Sequence, residues 1–433
     1  MELLWNLSVS ALVIALGACL VLRWAAACGW ALPHFPAPAH PLEGAGVQTG
    51  RRTLVRVFGA ALGIRLAVFL LALLLGALLG ELGNRTPLEL WERWDAHHYV
   101  HLVELGYNGY IEDGQHLFLV FFPLYVWVVR LVNLVVGNTL LAGMLVSWLC
   151  YAGGCVYLYR LAALDYGPSV ARRSVWYLSI FPYAFFFGGV MTEGLFLLTT
   201  CAALWQIRNH RWLSAGVWGA LAALTRMHGL LLIGVTGAEL CRAEQIFAPD
   251  GRSVGQRLWA LVRRLPALLL PAVGTLGYLL VNLWVDGDPF AFTVHQEHWS
   301  QGFLWISQTL AYLVQNALSY PNEVIRWELW VPEVLLFPLF CSARLGGPAG
   351  PQHLHPLRLR DPGFGLLSVL AAQRRALPLL RVALLPVCRP SHRGEAQNHG
   401  GAERRHDRVF CAAALAVFGG GTDYVRPAGS PAA

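Results

Sequence analysis

The chain has 433 residues, of which 56% are hydrophobic and only 13% are charged, and its formal net charge is +7. Soluble globular proteins carry about 25% charged residues, so this composition excludes an ordinary soluble domain. The positive charge does not indicate nucleic-acid binding, because it comes from arginines in short clusters between apolar runs. The nine cysteines form no CxxC pair and no metal-ligand spacing, so we interpret them as small buried hydrophobic residues.

Long apolar runs along the chain predict a helical bundle that crosses a membrane several times. A helix needs roughly 20 mostly apolar residues to span the hydrocarbon core. The first run is long for a signal peptide, so we expect it to be retained as a helix. The predicted spans are 3–23, 54–80, 139–160, 174–190, 192–208, 212–225, 227–241 and 262–285, and another is expected to begin near 329. The short ones are either complete spans or, for some of them, paired half-helices or re-entrant pieces.

Arginine clusters predict which side of the membrane each loop faces. The clusters at 51–56, 172–173 and 208–211 are assigned to the cytoplasmic side, because cytoplasmic loops carry an excess of basic residues. The segment 81–138 (the first loop) is then expected on the extracytoplasmic side, with helices lying in the membrane interface. Residues 1–341 are predicted to form one transmembrane domain.

The first loop contains the strongest cluster of reactive side chains. Residues 88–109 read LELWERWDAHHYVHLVELGYNG, in which a helix would bring Asp95, His98 and Glu104 near one another. A carboxylate held beside aromatic rings at the membrane surface can act as a general base toward an acceptor hydroxyl. Alternatively, the aromatic residues form an interfacial belt and Asp95 caps a helix. The stretch FLVFFPLY at 118–125 suits a helix that lies near a lipid substrate.

Charged residues inside apolar stretches provide further candidates. Arg226 is costly in such a setting and is therefore a functional candidate, since its guanidinium can bind a lipid phosphate with two hydrogen bonds. The alternative is that Arg226 pairs with Glu193 and only holds two helices together. On the same side, Asp288, His295, Gln296 and Trp299 either line an acceptor site or belong to a solvated turn at 286–289.

Four segments, in order along the chain, resemble the GPI mannosyltransferase II (PIG-V) family. RWDAHHYVHLVELGY followed by FFPLY is similar to the family's opening luminal loop, and FPYAFFFGGVMTEGLF is similar to a later aromatic and glutamate-containing stretch. LAALTRMHGLLL resembles the family's arginine-containing helix, and GDPFAFTVHQEHW resembles its glycine–aspartate–proline loop. The resemblance runs from about Trp91 to Trp299, and one such motif alone would be weak.

This resemblance implies a glycosyltransferase of the C type (GT-C), an all-α polytopic membrane fold with a helical first extracytoplasmic loop. The reaction it implies moves mannose, with inversion, from a dolichyl- or polyprenyl-phosphate-mannose donor to a glycolipid or glycan acceptor at the extracytoplasmic or luminal face. Asp95 takes the place of the catalytic base. Donor and phosphate contacts are assigned to Arg226, Glu193 and His98, and the acceptor-side candidates are Asp288, His295, Gln296, Trp299 and Tyr107.

Other functions stay open at this point. One alternative is a GT-C enzyme with a different sugar or acceptor, and another is a transporter of lipid-linked substrates. Transporters tend to show internal repeats, and no repeat stands out in this sequence. No cofactor and no nucleotide sugar are predicted, whereas a divalent cation at Asp95 stays open. The membrane is the plasma membrane in a bacterium and the endoplasmic reticulum in a eukaryote.

The tail from about residue 342 to 433 changes in character. It is rich in Arg, Pro, Gly and His, and it contains no Trp, Met or Ile. The family's arginine–tyrosine motif is missing from it. Back-translation of 369–381 with permitted codons, read one base later, gives SWLLSGARYLFS, which resembles that motif. We therefore hypothesise a frameshift beginning near 335–350; the alternative is a genuine disordered, basic tail.

Overall fold

The computed structural model describes residues 2–30, 32, 49–80, 82–83, 86–247, 253–296, 306–332 and 334–335. Trp299 and the tail after residue 335 lie outside these described residues. Within them the chain is almost entirely helical, without a β-strand, which confirms the predicted all-α class. The α-helices are α1 Glu2–Ala27, α2 Arg51–Leu78, α3 Ala96–Leu105, α4 Pro123–Val136, α5 Thr139–Tyr166, α6 Pro168–Ile180, α7 Glu193–Arg208, α8 Trp212–Thr225, α9 Leu232–Ala243, α10 Val254–Asp286, α11 Ala291–His295 and α12 Ile306–Ser319. A short helical stretch, Glu323–Ile325, continues into Arg326–Trp330.

Four helices in the described part of the chain, α1, α2, α5 and α10, are long and apolar enough to cross a membrane. They correspond to the predicted spans 3–23, 54–80, 139–160 and 262–285. Their length and composition, together with the polar interruptions between them, support an integral membrane protein of the GT-C helical type.

The predicted span 174–190 is wrong. Helix α6 ends at Ile180, and residues 182–187 form a 3-10 turn instead of a continued helix. The cause is Pro182, which has no amide proton and forces the residue before it into an extended conformation, as seen at Phe181 (φ −63°, ψ 142°). The chain therefore breaks between α6 and α7.

A second break separates α8 from α9. Helix α8 ends at Thr225, Arg226 is extended (φ −157°, ψ 144°), and a 3-10 turn at Met227–Leu231 leads into α9. The predicted spans 212–225 and 227–241 are thus two short helices separated by an irregular segment. Their lengths of 14 and 12 residues fit the half-helix alternative better than two complete crossings.

Small residues allow the central helices to pack closely. Helix α5 lies against α2, α4, α6 and α7, and α8 lies against α7 and α10. A methyl group added to Gly216 would come 2.2 Å from the carbonyl oxygen of Ala267, and one added to Gly274 would come 2.2 Å from that of Ala220. Only glycine fits at these crossings of α8 and α10, as is usual where membrane helices approach with their backbones in contact.

Arg65 in the middle of α2 stabilises the first break. Its side chain is buried, and it donates hydrogen bonds to the carbonyl oxygens of Ala184 (2.5 Å) and Ser179 (2.7 Å). The same guanidinium lies 4.8 Å from the ring centre of Tyr151. One of these carbonyl groups belongs to the end of α6 and the other to the 3-10 turn, so Arg65 supplies hydrogen bonds on both sides of the break, which is essential away from water.

The first loop packs onto the end of α10. The hydroxyl of Tyr278 in α10 donates to the carbonyl oxygen of Leu119 (2.9 Å), and Phe122 stacks on the Tyr278 ring with centroids 3.9 Å apart. Within the loop, the hydroxyl of Tyr107 donates to the carbonyl oxygen of Phe121 (2.9 Å). These contacts fix the position of α3, which immediately follows Asp95 in the chain.

The predicted topology can be tested with single cysteines in a cysteine-free background. Glu112→Cys in the first loop and Ser169→Cys at the start of α6 both replace exposed residues. We expect a membrane-impermeant maleimide added to intact cells to label Glu112→Cys and to label Ser169→Cys only after the membrane is permeabilised. The opposite pattern would contradict the assignment of the first loop to the extracytoplasmic side.

Candidate active site

Arg226 lies at the break between α8 and α9, in contact with the beginning of α7. Its Nε donates a hydrogen bond to the Thr192 hydroxyl (2.7 Å), and its Nη2 forms an ion pair with Oε1 of Glu193. The Arg226 side chain is 17% exposed and that of Glu193 is 6% exposed. The structure thus brings the two residues together, as the pairing alternative predicted, and the Arg226 side chain stays partly exposed.

Local sequence explains why the two residues meet. Thr192 and Glu193 begin α7, directly after the irregular segment that follows Pro182, and Arg226 follows the last residue of α8. Helices α7 and α8 pack against each other. A glutamate in the first turn of a helix is also stabilised by the partial positive charge of the helix N-terminus.

Asp95 is close enough to this pair to interact with it electrostatically. Tyr99, one turn after Asp95 in α3, connects Asp95 to the Arg226–Glu193 pair. Its hydroxyl is hydrogen-bonded to Thr192, and it interacts electrostatically with Asp95, Glu193 and Arg226. Burial raises the pKa of Tyr99 well above its ordinary value, so this phenol stays protonated and neutral near the carboxylates.

The backbone around Asp95 does not support a purely capping role. Asp95 occupies the position before the first residue of α3, but its side chain makes no capping hydrogen bond to the helix backbone. Trp94, just before it, has a positive φ of 58°, which costs a bulky residue about 1–3 kcal/mol. Such strain concentrates at functional sites, where it places a particular side chain. Glu104, in contrast, is exposed nine residues further along the chain.

His98 lies in an aromatic cluster of the first loop. Its Nδ1 is 3.0 Å from the Tyr110 hydroxyl, and its ring centre is 4.5 Å from that of Phe118. Tyr110 and Phe118 stack with centroids 3.8 Å apart. The structure therefore gives His98 an aromatic setting one turn after Asp95.

The predicted acceptor-side residues fall into different surroundings. His295 is buried, and its Nε2 lies 2.6 Å from Asp286, whose second oxygen lies 2.6 Å from Nδ1 of His116. Asp286 thus joins the end of α10, the first loop and α11. Asp288 is exposed and its carboxylate accepts a hydrogen bond from the Phe290 amide (2.9 Å), which is the turn alternative.

Tyr107, Gln296 and Trp299 complete the set of predicted residues. Tyr107 is buried, and its hydroxyl is used inside the first loop, where it donates to Phe121. Gln296 follows α11 directly and is half-buried. Trp299 lies outside the described residues.

Several residues that shape the site were not predicted. Thr192 and Tyr99 position Arg226, whereas His116 and Asp286 connect the first loop to α10 across 170 positions in the chain. Thr192 could have been predicted from its hydroxyl next to Glu193 in the sequence, and Tyr99 from its position one helical turn after Asp95. No local signal pairs His116 with Asp286. In the described residues, no three His, Cys, Asp or Glu side chains come together as a metal site.

Part of the chain matches a family of known transferases. Residues 122–237, from the end of the first loop to α9, match the family model described as dolichyl-phosphate-mannose-protein mannosyltransferase. The matched region is about a quarter of the chain; it contains Glu193 and Arg226 and begins after Asp95. No curated protein and no solved structure gives a significant match. The family match and the helical membrane architecture together indicate a GT-C, mannosyltransferase-like glycosyltransferase.

The turn after Arg226 gives a test of how the site is held. A methyl group on Gly229 would lie 2.2 Å from the Ala223 amide nitrogen and 2.3 Å from the Ala222 carbonyl carbon. Because backbone atoms cannot move aside cheaply, we expect Gly229→Ala to destabilise the protein by about 3 kcal/mol, the upper end for overpacking. The melting temperature in detergent should fall by several degrees.

Gly237→Ala is the matched control, since the nearest atom to its added methyl would be a Leu268 methyl at 3.9 Å. This control should melt within about one degree of the parent protein, because an alanine in a helix is favourable and meets no clash. If both variants melted alike, the close turn at Gly229 would not be needed for the fold.

Proposed function

We propose that the chain is an inverting mannosyltransferase that uses a dolichyl- or polyprenyl-phosphate-mannose donor and acts at the extracytoplasmic or luminal face of the membrane. The observation that carries the proposal is the partly exposed Arg226 side chain at a helix break, with the Asp95 carboxylate within electrostatic range. A lipid-linked phosphate needs such a cation in an apolar setting, and a glycosyl acceptor needs such a base.

The reaction proceeds by a single displacement at the anomeric carbon. The acceptor hydroxyl oxygen forms the new bond to C1 of mannose while Asp95 takes the hydroxyl proton. The bond between C1 and the phosphate oxygen breaks, and its electron pair leaves with the lipid phosphate. Arg226 binds this phosphate and stabilises the negative charge that grows on it as the bond breaks.

The other predicted residues take supporting roles in the proposal. Glu193 and Thr192 hold Arg226 in orientation, and His98 with its aromatic neighbours lies on the donor side. Asp288, His295, Gln296 and Trp299 stay candidates for the acceptor side, supported by the packing of α11 against the 3-10 turn at 117–120 of the first loop. A glycolipid of the GPI type is the acceptor that the resemblance to GPI mannosyltransferase II favours. The enzyme acts in the plasma membrane of a bacterium or in the endoplasmic reticulum of a eukaryote.

The decisive assay is transfer of radiolabelled mannose from polyprenyl-phosphate mannose in membranes. We expect Asp95→Asn to lower kcat by roughly 10²- to 10⁴-fold, the usual contribution of a general base, while the protein is inserted normally. Glu104→Gln, which removes an exposed carboxylate from the same segment, is the matched control and should keep full activity. Equal activities of the two variants would contradict the assignment of Asp95.

The assay is made with both forms of the tail, because the frameshift hypothesis concerns residues outside the structure. Two proteins are assayed: the unaltered chain and a chain with the reading frame restored after about residue 340. Each is also offered GDP-mannose and other polyprenyl-phosphate sugars as alternative donors. A frame-restored, correctly inserted chain that transfers no sugar from any lipid phosphate would contradict the enzyme proposal and direct attention to lipid transport.

A further inference from the structure

Two cysteines that are distant in sequence meet where the end of α1 packs on α9. Cys28 directly follows the last residue of α1, and Cys241 lies in the last turn of α9. Their side chains are hydrogen-bonded to each other, and both are free thiols in the structure. Thiols in contact between two distant segments are the arrangement from which a disulfide forms without a large backbone movement.

Aromatic side chains hold this contact on both sides. The indole Nε1 of Trp24 donates a hydrogen bond to the carbonyl oxygen of Gly234 (2.8 Å). The ring of Trp30 stacks on that of Phe247, with centroids 5.9 Å apart and planes inclined by 10°. The two cysteines lie between these contacts in both segments, and the order along the chain is the same. The segments therefore run side by side in one register, which sets the two thiols opposite each other.

Different exposure of the two thiols gives them different chemistry. Cys241 is partly exposed, whereas Cys28 is 3% exposed. A small oxidant in solution therefore reaches Cys241, while the sulfur of Cys28 has Cys241 as its hydrogen-bonded neighbour. The thiolate is the form of cysteine that attacks an oxidant, and a hydrogen bond donated to a sulfur favours its thiolate.

We propose that Cys28 and Cys241 are a reversible redox site, in which a hydroperoxide oxidises Cys241 and Cys28 then closes a disulfide between α1 and α9. The Cys241 thiolate attacks one oxygen of hydrogen peroxide, the O–O bond breaks, and a sulfenic acid and, after proton uptake, water are formed. The Cys28 sulfur then attacks the Cys241 sulfur, the S–O bond breaks, and the hydroxide leaves as water with the Cys28 proton. The two thiols lose two electrons, which reduce one peroxide to two molecules of water. Exchange with a small thiol restores both cysteines.

The position of the pair makes a switch more fitting than a permanent cross-link. Only residues 244–253 separate α9 from the start of α10, and the opposite end of α10 packs on the first loop. With the first loop assigned to the extracytoplasmic side, the pair lies on the cytoplasmic side, where thiols are kept reduced until an oxidant rises. Helix α9 also directly follows the turn after Arg226, so the disulfide would tie α1 to an element that borders the candidate active site.

The test treats membranes that contain the unaltered full chain with hydrogen peroxide. Remaining thiols are blocked with N-ethylmaleimide in denaturant, and the digested protein is searched for linked peptides by mass spectrometry. We expect a Cys28–Cys241 link that dithiothreitol removes. Cys19 is the internal control, because it is an exposed thiol on α1 itself. The Cys28–Cys241 link should exceed any Cys19–Cys241 link by at least roughly tenfold, since only thiols in contact can join without a backbone shift.

Two results with the unaltered chain overturn the inference, and neither needs a variant to fold. One is that Cys28 and Cys241 both remain blocked by maleimide after peroxide treatment. The other is that Cys241 links to Cys19 as often as to Cys28. No sugar or lipid substrate enters the measurement, so its outcome is independent of the proposed mannosyltransferase activity.

Single variants test the order of the two steps. In Cys28→Ser the sulfenic acid on Cys241 has no thiol to close on, so we expect dimedone to capture it. In Cys241→Ser the buried Cys28 should give no dimedone adduct. Cys150→Ser is the matched control, because Cys150 is likewise half-buried but lies in α5, and it should leave the Cys28–Cys241 link unchanged. A dimedone adduct on Cys28 in place of Cys241 would overturn the assigned roles.

Discussion

The ion pair between Arg226 and Glu193 is the contact on which the arrangement of the site depends. An arginine at a helix break inside a membrane domain is stable only when its charge is matched and its donors are used. Glu193 supplies the charge and Thr192 accepts the Nε hydrogen bond, so the end of α8 and the beginning of α7 are fixed relative to each other. Tyr99 joins the same Thr192 and thereby positions α3 of the first loop. Three segments distant in sequence thus share one hydrogen-bonded centre.

Arg65 shows that a buried arginine need not be a binding residue. Two backbone carbonyls and the Tyr151 ring occupy its guanidinium, and it is almost completely buried. It therefore compensates for the helix break at Pro182 and offers little to a ligand. Arg226 is partly exposed, and one oxygen of its partner Glu193 finds no hydrogen-bond donor among the residues that the structure describes.

Sequence reasoning found the features that depend on local composition. Length and apolar content predicted α2, α5 and α10, and the cost of charge in apolar stretches predicted that Arg226 and Glu193 matter and that they can pair. It overlooked Arg65, because no local pattern relates this residue to its carbonyl partners Ser179 and Ala184, 114 and 119 positions further along the chain. It also missed the bridge from His116 to Asp286, since no periodicity or motif relates residues 170 positions apart. The error at 174–190 came from counting hydrophobic residues across Pro182.

The two breaks have a chemical consequence beyond their structural cost. The inverting displacement that we propose needs the base and the leaving phosphate on opposite sides of the anomeric carbon, so the proposed base and cation must come from separate, rigidly related elements. Asp95 belongs to the first loop and Arg226 to a helix end, and the neutral Tyr99 connects them through Thr192. By ending α8 at Thr225, the chain places Arg226 at a helix end, where its side chain stays partly exposed.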